Sequence, residues 1–452
     1  MLIESISGIR ATIGDSMTPK EVVEYASAYG KWVNKGTIIL GRDSRVSGMV
    51  IAKIFASTLQ WLGLNVIDIG IVPTPSVQLL TEKLNAQGGI AITASHNPSP
   101  WNGIKFIDKT GLFLDAEQVK TVLTYKKEAD FSFKGSGDFG TYEVRDDAID
   151  LHVKNVLNIP ALDVKKIRSR KFKVVIDAVN GAGSLAVPAM LKALGCEVVE
   201  LNCIPDGYFP HPPEPLPENL LDLLEAVKSH KADLGLAVDP DADRLAVVDE
   251  KGNYLSEEYT LVMAMETVLS QCKKSEPKVV TNLSTTMAVD NIAEKYGAKC
   301  FRTAIGEINV AKKMKEVDAL IGGEGNGGII SPSSHFGRDS LVASAMVLNF
   351  LASDDRPLSV KYAELPQYKM SKKKIEIGKS DPDKILHELK KKYAHETCNT
   401  LDGLNIKWSD RWVHMRKSNT EPIMRVYSEA PTAEEANELS KRFMDEIKKL
   451  MR

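Results

Sequence analysis

Four short stretches of the chain concentrate side chains able to do chemistry. The first is Thr93-Ala-Ser-His-Asn-Pro98, which closes an apolar run beginning at Gly88. Proline stops strand pairing and fixes a turn, so Ser95 is presented at a strand end, where its hydroxyl can act as a nucleophile. A polar turn is the bland alternative. A hydrolase built on Ser95 and His96 is disfavoured, because the Gly-x-Ser-x-Gly elbow is missing and adjacent side chains on an extended chain diverge. Ten residues beyond Ser95 lies Lys105, in Asn102-Gly-Ile-Lys105. A lysine serves as proton donor and acceptor when its pKa is lowered; alone, this one reads as a surface lysine.

The second stretch is Leu234 to Asp249, with Asp239, Asp241 and Asp243 alternating between two apolar runs and Pro240 restricting the path. Three crowded carboxylates repel unless a cation sits among them, and hard oxygen ligands select Mg²⁺ or Ca²⁺. A solvated acidic turn is the alternative. A calcium-binding EF-hand fails: Arg244 stands where that loop needs glycine, and the flanks read as strands instead of helices. Arg244 beside a metal loop suits a phosphate shared between the two.

The third stretch is Ile321 to Ile330, where glycines flank Glu324 and Asn326. Backbone can approach a ligand closely there, and a carboxylate with an amide suits sugar hydroxyls. A glycine-rich hairpin would leave the same trace. His335, Arg338 and Asp339 follow shortly afterwards. The fourth stretch, Trp412 to Glu429, puts Arg416, Ser418, Asn419, Thr420 and Arg425 around one loop, a density of small donors that suits phosphate better than a solvated basic turn. A nucleophile, a hard-metal loop, a polyol loop and a phosphate loop together imply phosphoryl chemistry on a sugar phosphate.

These loops need a scaffold, and the sequence repeats one. From Thr37, from Lys171 and again from Pro277 the chain runs as a short apolar strand, a small-residue loop, an amphipathic helix closed by glycine (Gly63, Gly195, Gly297) and a second strand. That pattern predicts three similar α/β domains with βαβ units and mixed sheets. A polar stretch from Lys126 to Thr141 precedes a helix over about 146–157, and the prolines between Pro210 and Pro217 read as a rigid surface loop. After Leu365 the pattern changes to a small α+β module: a strand over 369–377, a helix over 382–393, two strands around a loop over 408–427, and a last helix over 432–451 with Thr432 and Glu435 as a capping box. The expected domains are 1–145, 146–255, 256–366 and 367–452.

At 452 residues the chain is long enough for this many cores, and 58 basic against 60 acidic side chains give no whole-chain attraction to nucleic acid or anionic lipid. No apolar run approaches the roughly 20 residues that span a bilayer, and the N-terminus lacks a secretory pattern, so a cytoplasmic protein with neither nucleic-acid nor membrane partners is expected. The five cysteines are scattered without metal-site spacing and read as reduced packing residues.

In order along the chain, Thr93–Pro98, Asp239–Arg244, Gly323–Gly327 and Arg416–Pro422 resemble the four signature loops of the α-D-phosphohexomutase family, phosphoglucosamine mutases and phosphomannomutase/phosphoglucomutases above all. The resemblance covers nearly the whole chain. It implies three α/β domains and a fourth, TATA-binding-protein-like α+β domain around a central cleft. It also implies interconversion of hexose 6-phosphate and 1-phosphate through a phosphorylated Ser95 and a bisphosphate sugar, with hexose 1,6-bisphosphate as activator. One Mg²⁺ per chain would be held by the Ser95 phosphate with Asp239, Asp241 and Asp243. By the same resemblance Lys105 is the general acid or base, Arg244 and Arg10 assist at the transferring phosphoryl, His96 counts with them among the catalytic residues, Glu324 and Asn326 meet the sugar, and Arg416, Ser418, Asn419, Thr420 and Arg425 hold its phosphate. Glu-x-Asn-Gly is similar to the loop of members acting on glucosamine phosphates, whereas Asp-Pro-Asp-Ala-Asp-Arg is more like phosphomannomutases and phosphoglucomutases. The sugar loop touches the discriminating hydroxyls, so glucosamine phosphate is the expected substrate and mannose or glucose phosphate the alternative. A distant rival is an NAD-dependent oxidoreductase, suggested by Asn180-Gly-Ala-Gly-Ser-Leu-Ala186; its first glycine lies too far past the strand, and no hydride-transfer site follows.

Overall fold

Each of the three recurring segments folds as its pattern dictates. In a computed structural model that describes residues 1–5, 8–418 and 423–451, the strand pairs Thr37–Arg42 with Asn65–Ile71, Lys173–Asp177 with Glu197–Leu201, and Lys278–Asn282 with Lys299–Thr303 are all parallel. Parallel neighbours need a crossover, supplied by the helices Gly48–Trp61, Gly183–Ala193 and Ala288–Lys295. Each crossover helix is followed by its predicted glycine in the left-handed region, with φ of 81°, 77° and 62° at Gly63, Gly195 and Gly297.

The chain divides into two compact units, Met1–Thr267 with Asn326–Lys361, and Val268–Gly325 with Tyr362–Arg452. In the first unit a seven-stranded mixed sheet runs in the order Leu2–Ser5, Gly8–Thr12, Trp101–Asp108, Gly88–Ile92, Thr37–Arg42, Asn65–Ile71, Tyr142–Val144. The last strand was not legible in the sequence, because all three of its residues are exposed and Tyr-Glu-Val is too short a run to establish a period. A second sheet has four strands, ending in the antiparallel hairpin Leu234–Val238 and Leu245–Asp249 that carries the three aspartates at its turn. The flanks are strands, as the rejection of an EF-hand requires. The helix Ser340–Ala352 has no charged residue and only Ser340, Ser344 and Asn349 as polar ones, and every one of its residues is buried, as a helix without a polar face must be.

In the second unit the strands Lys299–Thr303, Lys278–Asn282 and Ile321–Glu324 are parallel neighbours. The chain ends in a five-stranded antiparallel sheet ordered Lys369–Glu376, Ile423–Ala430, Trp412–Lys417, Leu404–Lys407, Thr397–Asn399. The helices Pro382–Lys392 and Ala433–Leu450 contribute Leu389, Phe443 and Ile447 to its core with Met415, Met424 and Val426. The last helix starts with the predicted capping box, Thr432 and Glu435 exchanging bonds of 3.2 Å. Among the described residues no helix is long and apolar enough to cross a membrane.

Candidate active site

Ser95 follows the fully buried strand Gly88–Ile92 and is itself 1% exposed. Its φ is 50°, a left-handed backbone that costs a non-glycine residue about 1–3 kcal/mol and persists only where the surroundings enforce it. The Ser95 amide donates to Thr93 Oγ1 at 2.8 Å. Arg45, 2% exposed, donates Nη2 to the carbonyls of Ser95 and Asn97 at 2.6 Å, Nη1 to those of Pro98 and Trp101 at 3.0 Å, and Nε to Asp43 at 3.0 Å. One guanidinium thus holds four carbonyls of the serine loop. Breaking a buried ion pair of this kind costs about 3–5 kcal/mol, which accounts for the loop keeping a strained residue in place.

The same turn overturns one expectation. His96 Nδ1 lies 3.3 Å from Ser95 Oγ, although neighbours on an extended chain diverge. Ser95 has left the extended conformation, and its left-handed φ swings the next side chain back toward its own. Burial, then the facing guanidiniums of Arg244 and Arg10, hold the His96 pKa well below the usual imidazole value, so the ring is neutral at neutral pH. Arg10 donates Nη1 to Asn97 Oδ1 at 2.9 Å and is fixed beside the loop.

Ser95 Oγ donates to Asp239 Oδ2 at 2.9 Å, joining the serine to the aspartate turn. Asp239, Asp241 and Asp243 are each at most 1% exposed, and each offers a carboxylate oxygen within 4.8 Å of the others. Asp241 Oδ2 accepts from Thr74 Oγ1 and Lys105 Nζ at 2.6 Å, and Asp243 Oδ2 accepts from Arg338 Nη2 at 2.6 Å. The other oxygens, Asp241 Oδ1 and Asp243 Oδ1, are buried with no hydrogen-bond partner. Such orphaned carboxylate oxygens are costly unless a cation meets them, so these residues fit a hard divalent metal. Burial pushes Asp239 well up, and the neighbouring Asp243 and Asp241 add to the shift. Burial also acts to raise Asp241 and Asp243, but Lys105 and Thr74 on the one and Arg338 on the other outweigh it, so both stay below the usual carboxylate range.

Lys105 departs from its sequence-based expectation. It stands on the strand Trp101–Asp108, only 4% exposed, 2.6 Å from Asp241 and 3.4 Å from Asp243. Burial lowers its pKa, but the two carboxylates more than offset this, and the net shift is upward. It is an ammonium, not the neutral amine that a lowered pKa would produce. Arg244 reaches Asp243 at 3.7 Å and Glu214 at 3.7 Å.

The dinucleotide-like glycines have a structural explanation. A Cβ on Gly181 would fall 2.6 Å from Pro240 Cα, and one on Gly183 2.6 Å from Val238 Cγ2. The amide of Ala182, at the helix start, donates to the Pro240 carbonyl at 2.7 Å. These small residues let the aspartate turn seat against the helix, and the amide is used inside the fold.

Asn326 and Gly327 also belong to the first unit. Asn326 Oδ1 accepts from the Gly328 amide at 3.3 Å, and the Gly327 carbonyl accepts from the Leu245 amide at 3.0 Å, tying this loop to the residue after Arg244.

In the second unit Glu324 is 3% exposed, its Oε1 accepting from Asn282 Nδ2 at 2.8 Å and from the Gly306 amide at 2.9 Å. The preceding amide, of Ile305, donates to Asp402 Oδ2 at 3.0 Å, and Arg416 Nη1 reaches the same oxygen at 3.3 Å. The turn at Gly306, with φ of 119°, thereby links Glu324 to Arg416. Arg416 faces Arg425 directly across one antiparallel pair, and Arg425 faces Lys374 across the next. Three cations in one row across adjacent strands repel, and an anion over that row relieves them. Lys374, Gly306 and Asp402 escaped sequence reasoning because only strand register and a long-range turn bring them in. Ser418 donates its amide to the Ile423 carbonyl at 3.0 Å. Asn419 and Thr420 lie outside the described residues.

Comparison with known proteins bears on this geometry. Residues 3–133, 150–252 and 256–368 match alpha/beta/alpha domains I, II and III of phosphoglucomutase/phosphomannomutase, and residues 373–446 match its C-terminal domain. The chain belongs to the phosphoglucomutase/phosphomannomutase family. This family member is 35% identical to the probable phosphoglucosamine mutase of Methanopyrus kandleri, over 98% of the present chain and 97% of that protein. It is 37% identical to the phosphoglucomutase/phosphomannomutase of Thermococcus kodakarensis, over 95% of each. Among solved structures, it matches a phosphoglucomutase/phosphomannomutase family protein from Burkholderia thailandensis with a TM-score of 0.86 and 27% identity, covering 99% of this chain and 98% of that one.

Proposed function

We propose that this family member is a phosphoserine-dependent phosphohexomutase acting on glucosamine 6-phosphate and glucosamine 1-phosphate, with domains at 1–145, 146–255, 256–366 and 367–452. The observation that carries the reading is Ser95 Oγ, enforced in a strained turn and 2.9 Å from a carboxylate of a buried three-aspartate cluster. Ser95 carries the phosphoryl group and gives it to the free hydroxyl of the bound sugar phosphate. The bisphosphate sugar then reorients and returns its other phosphoryl to Ser95. Asp239, Asp241 and Asp243, with the Ser95 phosphate, hold Mg²⁺. When bound, Mg²⁺ supplies a divalent charge that neutralises the transferring phosphoryl oxygens. Lys105, kept as an ammonium by Asp241 and Asp243, enters the cycle as the general acid. Arg10, Arg244 and neutral His96 border the serine and support the phosphoryl group.

Glu324 and Asn326 take the sugar hydroxyls or amine. Arg416, Ser418, Asn419, Thr420 and Arg425 take the phosphate that is not being transferred, so both orientations of the bisphosphate use the same cations. The row Lys374, Arg425, Arg416 supports that assignment. Hexose 1,6-bisphosphate activates by phosphorylating an empty Ser95. A second reading, phosphomannomutase/phosphoglucomutase, is favoured by the name of the Thermococcus kodakarensis relative and by the Asp-Pro-Asp-Ala-Asp-Arg loop.

A panel of glucosamine, N-acetylglucosamine, mannose and glucose 1-phosphates, assayed with Mg²⁺ and a trace of the matching bisphosphate, decides between them. The expected result is a kcat/KM for glucosamine 1-phosphate at least about tenfold above the others, the discrimination one well-placed polar contact provides. A preference for mannose or glucose 1-phosphate would transfer the assignment to the second reading.

A further inference from the structure

Arg338 is absent from the roles assigned so far, yet it is 8% exposed and its Nη2 lies 2.6 Å from Asp243 Oδ2. We propose that Arg338 holds Asp243 in its metal-binding orientation, and that residue 328 is glycine so that the arginine can pass. By occupying Oδ2, the guanidinium leaves Asp243 Oδ1, buried and without a hydrogen-bond partner, as the oxygen for a cation. Lys105 stands in the same relation to Asp241, whose Oδ1 is likewise buried and unpartnered.

The role of Gly328 follows from its surroundings. A Cβ there would lie 2.2 Å from Cδ, 2.9 Å from Cγ and 3.2 Å from Cβ of Arg338. Its backbone is outside the left-handed region, and the three nearest atoms a Cβ would meet all belong to Arg338, so contact and not conformation bars a side chain. The adjacent Gly327 differs: its φ is 86°, and its Cβ would meet the Leu245 carbonyl oxygen at 2.4 Å.

Arg338 is also anchored where it leaves the backbone. The next residue, Asp339, caps the helix Ser340–Ala352 through the amides of Leu341 and Val342. Asp339 Oδ2 further accepts from His152 Nε2 at 2.7 Å and His335 Nε2 at 3.0 Å. His335 Nδ1 accepts from the Gly337 amide, which fixes its proton on Nε2. These three buried groups could also be read as metal ligands, but each is already engaged with protein partners and together they fix the segment from which Arg338 projects.

Arg338 is thus a positioning residue, and the inference rests on the metal-loop reading above. Removing an outer-shell partner of a ligand weakens metal binding roughly 10–100-fold, whereas removing a positive charge near a cation by itself tightens it, so the direction of change is diagnostic. The test is Mn²⁺ binding to the full chain, followed by electron paramagnetic resonance, for the wild type, Arg338→Ala, Gly328→Ala and the double variant. Each single variant is expected to weaken Mn²⁺ binding about tenfold or more. In the Arg338→Ala background, Gly328→Ala is expected to add no more than about threefold, because the arginine it displaces is gone. Unchanged or tighter binding by Arg338→Ala overturns the inference, as does an equal effect of Gly328→Ala in both backgrounds. If the alanine variant does not fold, Arg338→Lys takes its place: it keeps the charge without the planar fork, and binding equal to wild type overturns the inference. A wild type that binds no Mn²⁺ removes the metal reading itself, and this inference with it.

Discussion

Ser95→Ala is expected to lower mutase turnover by roughly 10⁴-fold or more, since it removes the atom proposed to carry the phosphoryl group. The fold should survive. The Ser95 hydroxyl donates to Asp239 and lies 3.3 Å from His96 Nδ1, and the loss of each such bond is worth about 1 kcal/mol. The turn itself depends on bonds that alanine keeps: the residue 95 amide on Thr93 and the residue 95 carbonyl on Arg45. A coupled assay of glucosamine 6-phosphate conversion, with an unfolding curve for the same preparation, reads both quantities. A folded variant retaining more than about a tenth of the wild-type kcat would show that the serine is not the phosphoryl carrier.

Asp241→Asn is expected to have the second-largest effect, about 10²–10³-fold on kcat. Asparagine keeps the shape but removes the charge that Lys105 meets at this position and that the proposed Mg²⁺ would meet. A thermal readout separates metal loss from general damage. Ligand bound only by the folded chain stabilises it by about 2.7 kcal/mol at one hundred times Kd, so Mg²⁺ should raise the Tm of the wild type and not that of Asp241→Asn. Chelation should silence the wild type and added Mg²⁺ restore it. Equal Tm shifts in the two proteins would take Asp241 out of the metal site.

Much of this site could be read from the chain before any coordinates. The repeated strand–loop–helix–glycine pattern marks the three parallel strand pairs, because helix and strand periods and the closing glycines are local properties. The four loops stand out for the same reason, being runs of unusual residue types. What stayed hidden depends on distant pairing. Arg45 sits in a loop that reads only as polar, and its grip on four carbonyls appears once strands Thr37–Arg42 and Gly88–Ile92 lie side by side. The cation row needs the register of three strands, and Gly328 looks like any glycine in a rich loop until Arg338 fills its missing side chain. Two local rules also misled. Alternation along a strand separates His96 from Ser95, but a left-handed φ brings them together. A buried lysine by itself has a lowered pKa, but two buried carboxylates reverse the sign at Lys105.

The phosphoryl group itself provides the most direct test of the mechanism. The protein should be incubated with glucosamine 1,6-bisphosphate, freed of ligand, digested and mapped by mass spectrometry, with Ser95→Ala treated in parallel. The mechanism predicts one phosphoryl group on the peptide bearing Ser95, lost when glucosamine 6-phosphate is added with matching formation of bisphosphate, and absent from the variant. An unmodified Ser95 in protein that turns over, or phosphate on another residue that the variant retains, would contradict it.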